Sequence, residues 1–133
     1  MPLEFCGPAI VYVVYSVAID PPAAGRSCAP AVSCAPLLVP GVKLVLGEPF
    51  GLPGGKFMGP EWDARLVELK KRQAVVERLA GKYHAALVRY QKVFDEAVKR
   101  APATYWIWDA VHPTYSGHQL MADEWVRVVG SMQ

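Results

Sequence analysis

The sequence predicts an α/β domain with parallel strands, because strand-like and helix-like segments alternate from residue 42 onward. Length and composition agree. A chain of 133 residues suits one domain, and 53% hydrophobic against 20% charged residues is typical of a globular protein with a core. The net charge of +2, with basic and acidic residues interleaved, argues against a nucleic-acid partner.

The first candidate element is the apolar run AIVYVVYSVAI at 9–19, whose valines and tyrosines favour a buried strand. It is too short for a membrane span, which needs about 20 residues. Glu4 precedes it where a signal peptide would carry Lys or Arg. We therefore expect a cytoplasmic chain without a membrane span, although the small residues at 23–25 leave secretion open as the alternative.

Residues 21–40 are rich in Pro, Ala and Cys. Five prolines there exclude a regular helix or strand, so we predict an irregular segment at 1–39, with one apolar strand, and a folded unit at 40–133. Such a composition also arises when GC-rich DNA is translated out of frame, which is a hypothesis about the gene. The three cysteines contain no C-x-x-C pair, which argues against a zinc site or a disulfide framework.

The next segment, 42–47, predicts a strand, and the Gly- and Pro-rich stretch at 51–60 predicts a loop. A helix is expected to begin near Pro60, since proline suits the first turn, and to end at Gly81. Residues at three- and four-residue spacing define one face of this helix, which should be buried. It comprises Trp62, Leu66, Leu69, Gln73, Val76 and Ala80.

A second strand is predicted at 83–90, with His84 toward solvent or in a local bond, and a short helix at 91–100. The inward side chains of that helix should be Val93, Phe94, Ala97 and Val98.

The aromatic stretch 103–111 is predicted to be strand-like, and the last helix should cover 116–129. Ser116 and Gln119 match a capping box at its start. Its predicted buried stripe is Leu120, Met121, Trp125, Val128 and Val129.

Asp109 and His112 stand three residues apart just before this helix, in WDAVHPT. In an acyl-transfer hydrolase, a histidine moves the proton of the nucleophile and an aspartate fixes the tautomer of the histidine. A capping arrangement is the structural alternative. A metal site would need a third ligand, for which only Glu48 and His118 are candidates, so we predict no metal.

The block DAVHPTYSGHQLMADEW resembles the last conserved block of the SGNH, or GDSL-type, esterase and lipase family. The similarity extends upstream through PGVKLVLGEPFGLPGG and covers about residues 40–130. The resemblance implies catalytic roles for Asp109 and His112. It also implies a flavodoxin-like three-layer α/β/α sandwich, here partial, with its N-terminal strands missing or replaced.

The nucleophile that the resemblance implies is a serine in a Gly-Asp-Ser motif, with a glycine and an asparagine as oxyanion donors. This sequence has no Gly-Asp-Ser and no asparagine. Its five serines are Ser16, Ser27, Ser33, Ser116 and Ser131. None lies in a recognisable nucleophile turn, so we expect little or no esterase activity from this chain alone.

Further candidates for substrate contact are one acid and a group of aromatic residues. Glu48 follows a strand at the edge where α/β enzymes bind substrates, and Trp108, with Tyr105 and Trp106, could form an aromatic wall for an acyl or sugar group. Structural roles are the alternative: bonds to loop amides for Glu48 and core packing for the aromatic side chains. No cofactor is expected.

Two classes of function remain. The first is an ester hydrolase acting on a small acyl ester or a carbohydrate O-acetyl ester, present as a truncated or frame-shifted copy without its serine. The second is a non-catalytic remnant or interaction module. A small parallel sheet needs cover on both faces, so self-association through an exposed sheet face is also expected.

Overall fold

The structure is a computed structural model, which describes residues 43–54 and 57–132 and the backbone of 10–13. The irregular segment predicted at 21–40 and all three cysteines lie outside the described residues. The division into 1–39 and 40–133 therefore stays a prediction.

The described elements alternate between strands and helices. They are β1 (Ile10–Val13), β2 (Lys43–Gly47), α1 (Pro60–Tyr83), β3 (Ala86–Val88), α2 (Tyr90–Ala97), α3 (Ala103–Trp106) and α4 (Tyr115–Gly130). This order confirms the predicted α/β class.

The three strands form one parallel sheet in the order β1-β2-β3. Ile10 pairs with Lys43 at one side of β2, and Val45 pairs with Ala86 at the other. The two predicted parallel strands and the third at 9–19 are thus confirmed over the residues described. Because parallel strands end at one edge, the segments that follow β2 and β3 emerge side by side.

Helices cover both faces of β2 and β3. Toward α1, the sheet contributes Leu46, which packs with Val76 and Ala80. Toward α4, it contributes Val45 and Val88, which pack with Val128. Successive side chains of a strand point to opposite faces, so the apolar run 44–46 of β2 packs against two helix layers. The result is a three-layer α/β/α arrangement.

A separate apolar cluster lies at the end of the sheet where the strands terminate. Phe94 and Ala97 of α2 are fully buried there against Ile107 and Trp106. Leu52, from the loop after β2, completes the buried set. This cluster supports the segment that carries Asp109 and His112, because Ile107 and Trp106 lead directly into it.

The first helix begins at Pro60 as predicted, but the predicted stop at Gly81 is wrong. The helix continues to Tyr83, and His84 ends it in the left-handed conformation with a φ of 51°. His84 is exposed, as expected, but it precedes the strand, which is limited to Ala86–Val88. The predicted buried face of the helix holds, with Leu69, Val76 and Ala80 fully buried.

Three expectations for the C-terminal part need correction. Val98 lies just beyond α2 and is 37% exposed, because the helix ends at Ala97. The aromatic stretch forms the helical turn α3 and one bridge, Ile107–Pro113, where a strand-like segment was predicted. The cap of α4 is Thr114, whose hydroxyl accepts from the Gly117 amide, while Gln119 bonds Asp123. Ser116 therefore does not form the predicted capping box.

Among the described residues, no helix is both long enough and apolar enough to span a bilayer.

Two helical glycines should respond oppositely to replacement by alanine. A Cβ on Gly117 would overlap the carbonyl oxygen of Trp106, whereas a Cβ on Gly81 would meet nothing within 4 Å. We expect Gly117→Ala to lower the free energy of unfolding by roughly 3 kcal/mol. Gly81→Ala should raise it by about 0.5–1 kcal/mol, since alanine costs less backbone entropy in a helix. Urea unfolding monitored by circular dichroism measures both, and equal effects would contradict the packing described at Gly117.

Candidate active site

Asp109 and His112 lie on a short loop closed at its base by backbone pairing. The Trp108 amide donates to the His112 carbonyl at 2.9 Å, and the Thr114 amide donates to the Trp106 carbonyl at 2.9 Å. Between these bonds, Ile107 and Pro113 form an isolated antiparallel bridge. We call residues 108–112 the Asp–His loop. The base of this loop is held between α3 and α4, and these contacts fix the direction in which the loop projects.

The two side chains meet directly. The Nδ1 atom of His112 lies 2.7 Å from Oδ2 of Asp109, a hydrogen bond in which Nδ1 donates when it carries the proton. The imidazole is 71% exposed and the carboxylate 48% exposed. Within the described part of the chain, no residue is hydrogen-bonded to the other ring nitrogen, Nε2. This is the orientation that a general base requires.

The second oxygen of Asp109 organises the loop backbone. Its Oδ1 accepts from the amides of Val111, at 3.2 Å, and His112, at 3.0 Å. Together with the bond from the His112 side chain, which is the main cause, these contacts hold the pKa of the Asp109 carboxyl below its ordinary value. The carboxylate therefore stays ionised over a wider acid range and can stabilise a positive imidazolium beside it.

Ala110, at the tip of the loop, has an unusual backbone for a residue with a side chain. Its φ is 98°, in the region that favours glycine, and its side chain is fully buried. Residues after β2 lie against it: the Leu52 amide donates to the Ala110 carbonyl at 3.1 Å. A Cβ on Gly51 would come within 3.1 Å of that same carbonyl oxygen. Any side chain at residue 51 would require the Ala110 carbonyl to shift by a few tenths of an ångström.

Glu48 lies in the same region at the edge of the sheet, but its carboxylate oxygens already contact other residues of the chain. Its Oε2 accepts from the Gln91 amide at the start of α2, and Oε1 lies 3.8 Å from the Arg89 guanidinium. The side chain is 12% exposed. Burial raises the pKa of Glu48, while the bond from Gln91 and the charge of Arg89 oppose the rise. These contacts agree with the alternative in which Glu48 bonds backbone amides and has a structural role.

Trp108 is 62% exposed beside the pair, and nearby Tyr105 is 55% exposed. The indole is available for contact with a bound group, as an aromatic wall requires. Its neighbour Trp106 instead lies in the core and donates to the Ala101 carbonyl.

No nucleophile joins the pair among the described residues. Ser116 lies in the first turn of α4 and Ser131 donates to the Val128 carbonyl, and neither is bonded to His112. Ser16, Ser27 and Ser33 lie outside the described residues. No group of three His, Cys, Asp or Glu side chains that could hold a metal occurs in the described ranges.

Sequence reasoning missed the residues that support the loop from behind, namely Gly51, Gln91 and Thr114. Gly51 carried a signal, because it belongs to a glycine-rich stretch where a close backbone approach is common. Gln91 carried none, since Gly51, its partner in the loop after β2, lies 40 residues away in the chain.

The fold and the pair define an α/β sandwich with a hydrogen-bonded Asp–His pair at the end of its sheet, and known proteins resemble the chain in sequence and fold. No family profile matches the chain. An acetylxylan esterase from Geobacillus stearothermophilus is 29% identical over 87 residues, 65% of this chain and 37% of that protein.

Solved structures agree. A structure described as a GDSL-like lipase from Parabacteroides merdae superposes with a TM-score of 0.61 and is 36% identical, covering 68% of this chain and 41% of that one. The Geobacillus stearothermophilus acetylxylan esterase Axe2 gives 0.56 at 28% identity, covering 68% and 40%. The resemblance to GDSL-type esterases and lipases and the partial sandwich fold are thereby confirmed. The chain spans about two fifths of the length of these relatives.

Three further structures of Axe2 are described as catalytic mutants. They replace a serine, an aspartate and a histidine with alanine, and the aspartate and histidine stand three residues apart. Asp109 and His112 have the same spacing and are hydrogen-bonded.

The two carboxylates near the loop should affect stability with opposite pH dependence. The lowered pKa of Asp109 means that its stabilising contribution is present above the unfolded-state pKa of about 3.9 and is lost as pH falls through the folded-state value. The raised pKa of Glu48 means that stability is lost as pH rises from about 4.3 through its folded-state value. Asp109→Asn should therefore become increasingly less stable than wild type as pH rises from acid values.

Glu48→Gln is the matched comparison, and it should become relatively more stable than wild type over the range above about pH 4. Urea titrations from pH 2.5 to pH 7, roughly spanning both ordinary pKa values, measure both trends. If the stability of both variants changed with pH in the same direction relative to wild type, the opposite pKa shifts of Asp109 and Glu48 would be contradicted.

Proposed function

We propose that this chain carries the Asp–His half of a Ser-His-Asp ester hydrolase site. The observation behind the proposal is the 2.7 Å bond between His112 Nδ1 and Asp109 Oδ2, with Nε2 facing away from it on an exposed ring. The three-residue spacing, equal to that of the residues replaced in the Axe2 mutants, supports it. An acyl ester, in particular a carbohydrate O-acetyl ester, is the proposed substrate.

The chemistry assigns one role to each atom. His112 Nε2 accepts the proton of a serine hydroxyl as its oxygen attacks the ester carbonyl, and then passes that proton to the departing alcohol. Asp109 keeps the proton of His112 on Nδ1 and stabilises the transient positive charge of the imidazolium. Water then repeats the cycle to release the acid. Trp108 is proposed as the wall against which the acyl or sugar group rests.

We further propose that the chain is a truncated or frame-shifted copy that lacks its own serine and oxyanion blocks. Support comes from the sequence, which has neither Gly-Asp-Ser nor any asparagine. Loss of a nucleophile or an oxyanion donor typically costs on the order of 10²–10⁶ in turnover. The chain by itself should therefore hydrolyse esters little or not at all.

A chimera tests the pair independently of the missing serine. Residues 43–132 of this chain would replace the matching portion of the Geobacillus stearothermophilus acetylxylan esterase, which supplies the serine and the remaining fold. We expect the chimera to hydrolyse a chromogenic acetyl ester, and His112→Ala or Asp109→Asn within it to reduce kcat by at least about 10³-fold. The His118→Ala chimera is the matched control, because His118 is an exposed histidine on the adjacent helix.

The unmodified 133-residue chain is assayed beside its own His112→Ala variant. Equal background rates are expected from both. A well-folded chimera no faster than its His112→Ala form would refute the hydrolase proposal and favour the non-catalytic interaction module. Turnover by the unmodified chain that His112→Ala abolishes would show instead that a serine of this chain serves as nucleophile.

A further inference from the structure

Gln91, the second residue of α2, forms more long-range bonds than its position at a helix start would require. Its Oε1 accepts from the Gly51 amide at 2.9 Å, and its Nε2 donates to the Gly51 carbonyl at 3.0 Å. The same Nε2 donates to Asp95 at 2.8 Å, and Oε1 lies 3.4 Å from the side-chain amide of Gln73. Both protons and both lone pairs of the carboxamide are thus used. Such a side chain has one orientation.

The partner of Gln91 belongs to the loop after β2, residues 48–54, which we call the strap. The strap begins where the Glu48 amide donates to the Val88 carbonyl at 2.9 Å. Gln73 of α1 donates to the Pro49 carbonyl at 2.9 Å. The strap has no regular structure of its own, apart from a bridge between Gly54 and Phe57. Side-chain bonds from α1 and α2, together with the packing of Phe50 and Leu52 in the apolar cluster around Phe94, therefore hold it in place.

The opposite side of the strap faces the tip of the Asp–His loop. The Leu52 amide donates to the Ala110 carbonyl, and a Cβ on Gly54 would lie 3.3 Å from the Ala110 nitrogen. Within the Asp–His loop, Ala110 is the residue whose φ is positive, and Asp109 immediately precedes it. A shift of the strap would remove a bond that holds this strained backbone, and the support for the alignment of Asp109 with His112 would weaken.

We propose that Gln91 is a positioning residue for the Asp109–His112 pair, acting through Gly51 and Leu52 of the strap on the backbone of Ala110. The inference rests on the proposed function for its catalytic meaning, but its physical content is a coupling between Gln91 and the Asp–His loop. Gln91 touches neither Asp109 nor His112. It holds in place the surface against which their loop is built.

The test uses the full 133-residue chain and the variant Gln91→Met, which keeps the size of the side chain and removes its bonds. Gln119→Met is the matched control. Gln119 donates to Asp123, four residues ahead, as Gln91 does to Asp95, but it lies on the exposed face of α4 away from the strap. Amide hydrogen exchange by NMR measures the loop, and carboxyl carbon shifts measure the pKa of Asp109.

In Gln91→Met the amides of Val111 and His112, which donate to Asp109, should exchange on the order of tenfold faster. The pKa of Asp109 should move up toward its ordinary value, while exchange in α4 stays as in wild type. Gln119→Met should change neither quantity. A purely local role would release Gly51 and Leu52 and leave Val111, His112 and the Asp109 pKa unchanged, and that result would overturn the proposal.

Gln91→Glu gives a second, reversible version of the experiment if Gln91→Met does not fold. A protonated carboxyl group can accept from the Gly51 amide and donate to its carbonyl, whereas the ionised form can only accept. Protection of the His112 amide should therefore be lower than in wild type at pH 7 and return toward it near pH 4, close to the ordinary pKa of about 4.3 for glutamate. Protection that differs equally from wild type at both pH values would overturn the coupling.

None of these measurements involves turnover. An inactive chimera would refute the proposed function but would not bear on the coupling between Gln91 and the Asp–His loop. Unchanged amide exchange at Val111 and His112 would refute that coupling but would not bear on the activity of the chimera.

Discussion

The described fold depends on β2, which is paired in parallel with a neighbour on each side and covered by a helix on each face. Such a strand has no exposed edge, so its central side chains, Leu44, Val45 and Leu46, are apolar and its register is strongly specified. Because β2 and β3 run in the same direction, Glu48 and Arg89 leave the sheet together. The strap and α2 are therefore adjacent at the edge where the Asp–His loop is held.

Much of this architecture could be predicted from sequence, because it depends on local periodicity. The buried face of α1 follows from apolar residues at three- and four-residue spacing, and the β2 strand from a short branched apolar run. The errors share another origin. Gly81 was expected to end a helix, yet it lies in open space where continued helix costs only about 1 kcal/mol, and packing of Ala80 on the sheet offsets that.

The start of α4 also shows that local sequence patterns do not always identify where a helix begins. Ser116 and Thr114 are both good capping residues, and sequence pattern favoured the serine because Gln119 follows it at the right spacing. In the structure the helix begins at Tyr115, and the hydroxyl of its cap, Thr114, also donates to the Tyr105 carbonyl at 2.7 Å. A tertiary bond to a preceding turn decided between two locally acceptable caps, and no local pattern contains that information.

In the candidate site, the residues that could be predicted from sequence are those whose partners lie close by in the chain. Asp109 and His112 were predicted because their bond spans three residues, and an aspartate that accepts the amides of the two residues after Ala110 builds most of that geometry by itself. Gln91, 40 residues from Gly51, could be found only in three dimensions.

The same difference explains how an aligned pair occurs in a chain without a recognisable nucleophile block. The pair needs only its own loop and the support behind it, whereas a serine must be brought to it by a distant part of the fold. Alignment of Asp109 with His112 therefore depends on this segment and on the strap behind it, whereas the proposed function requires in addition a serine from elsewhere in the fold.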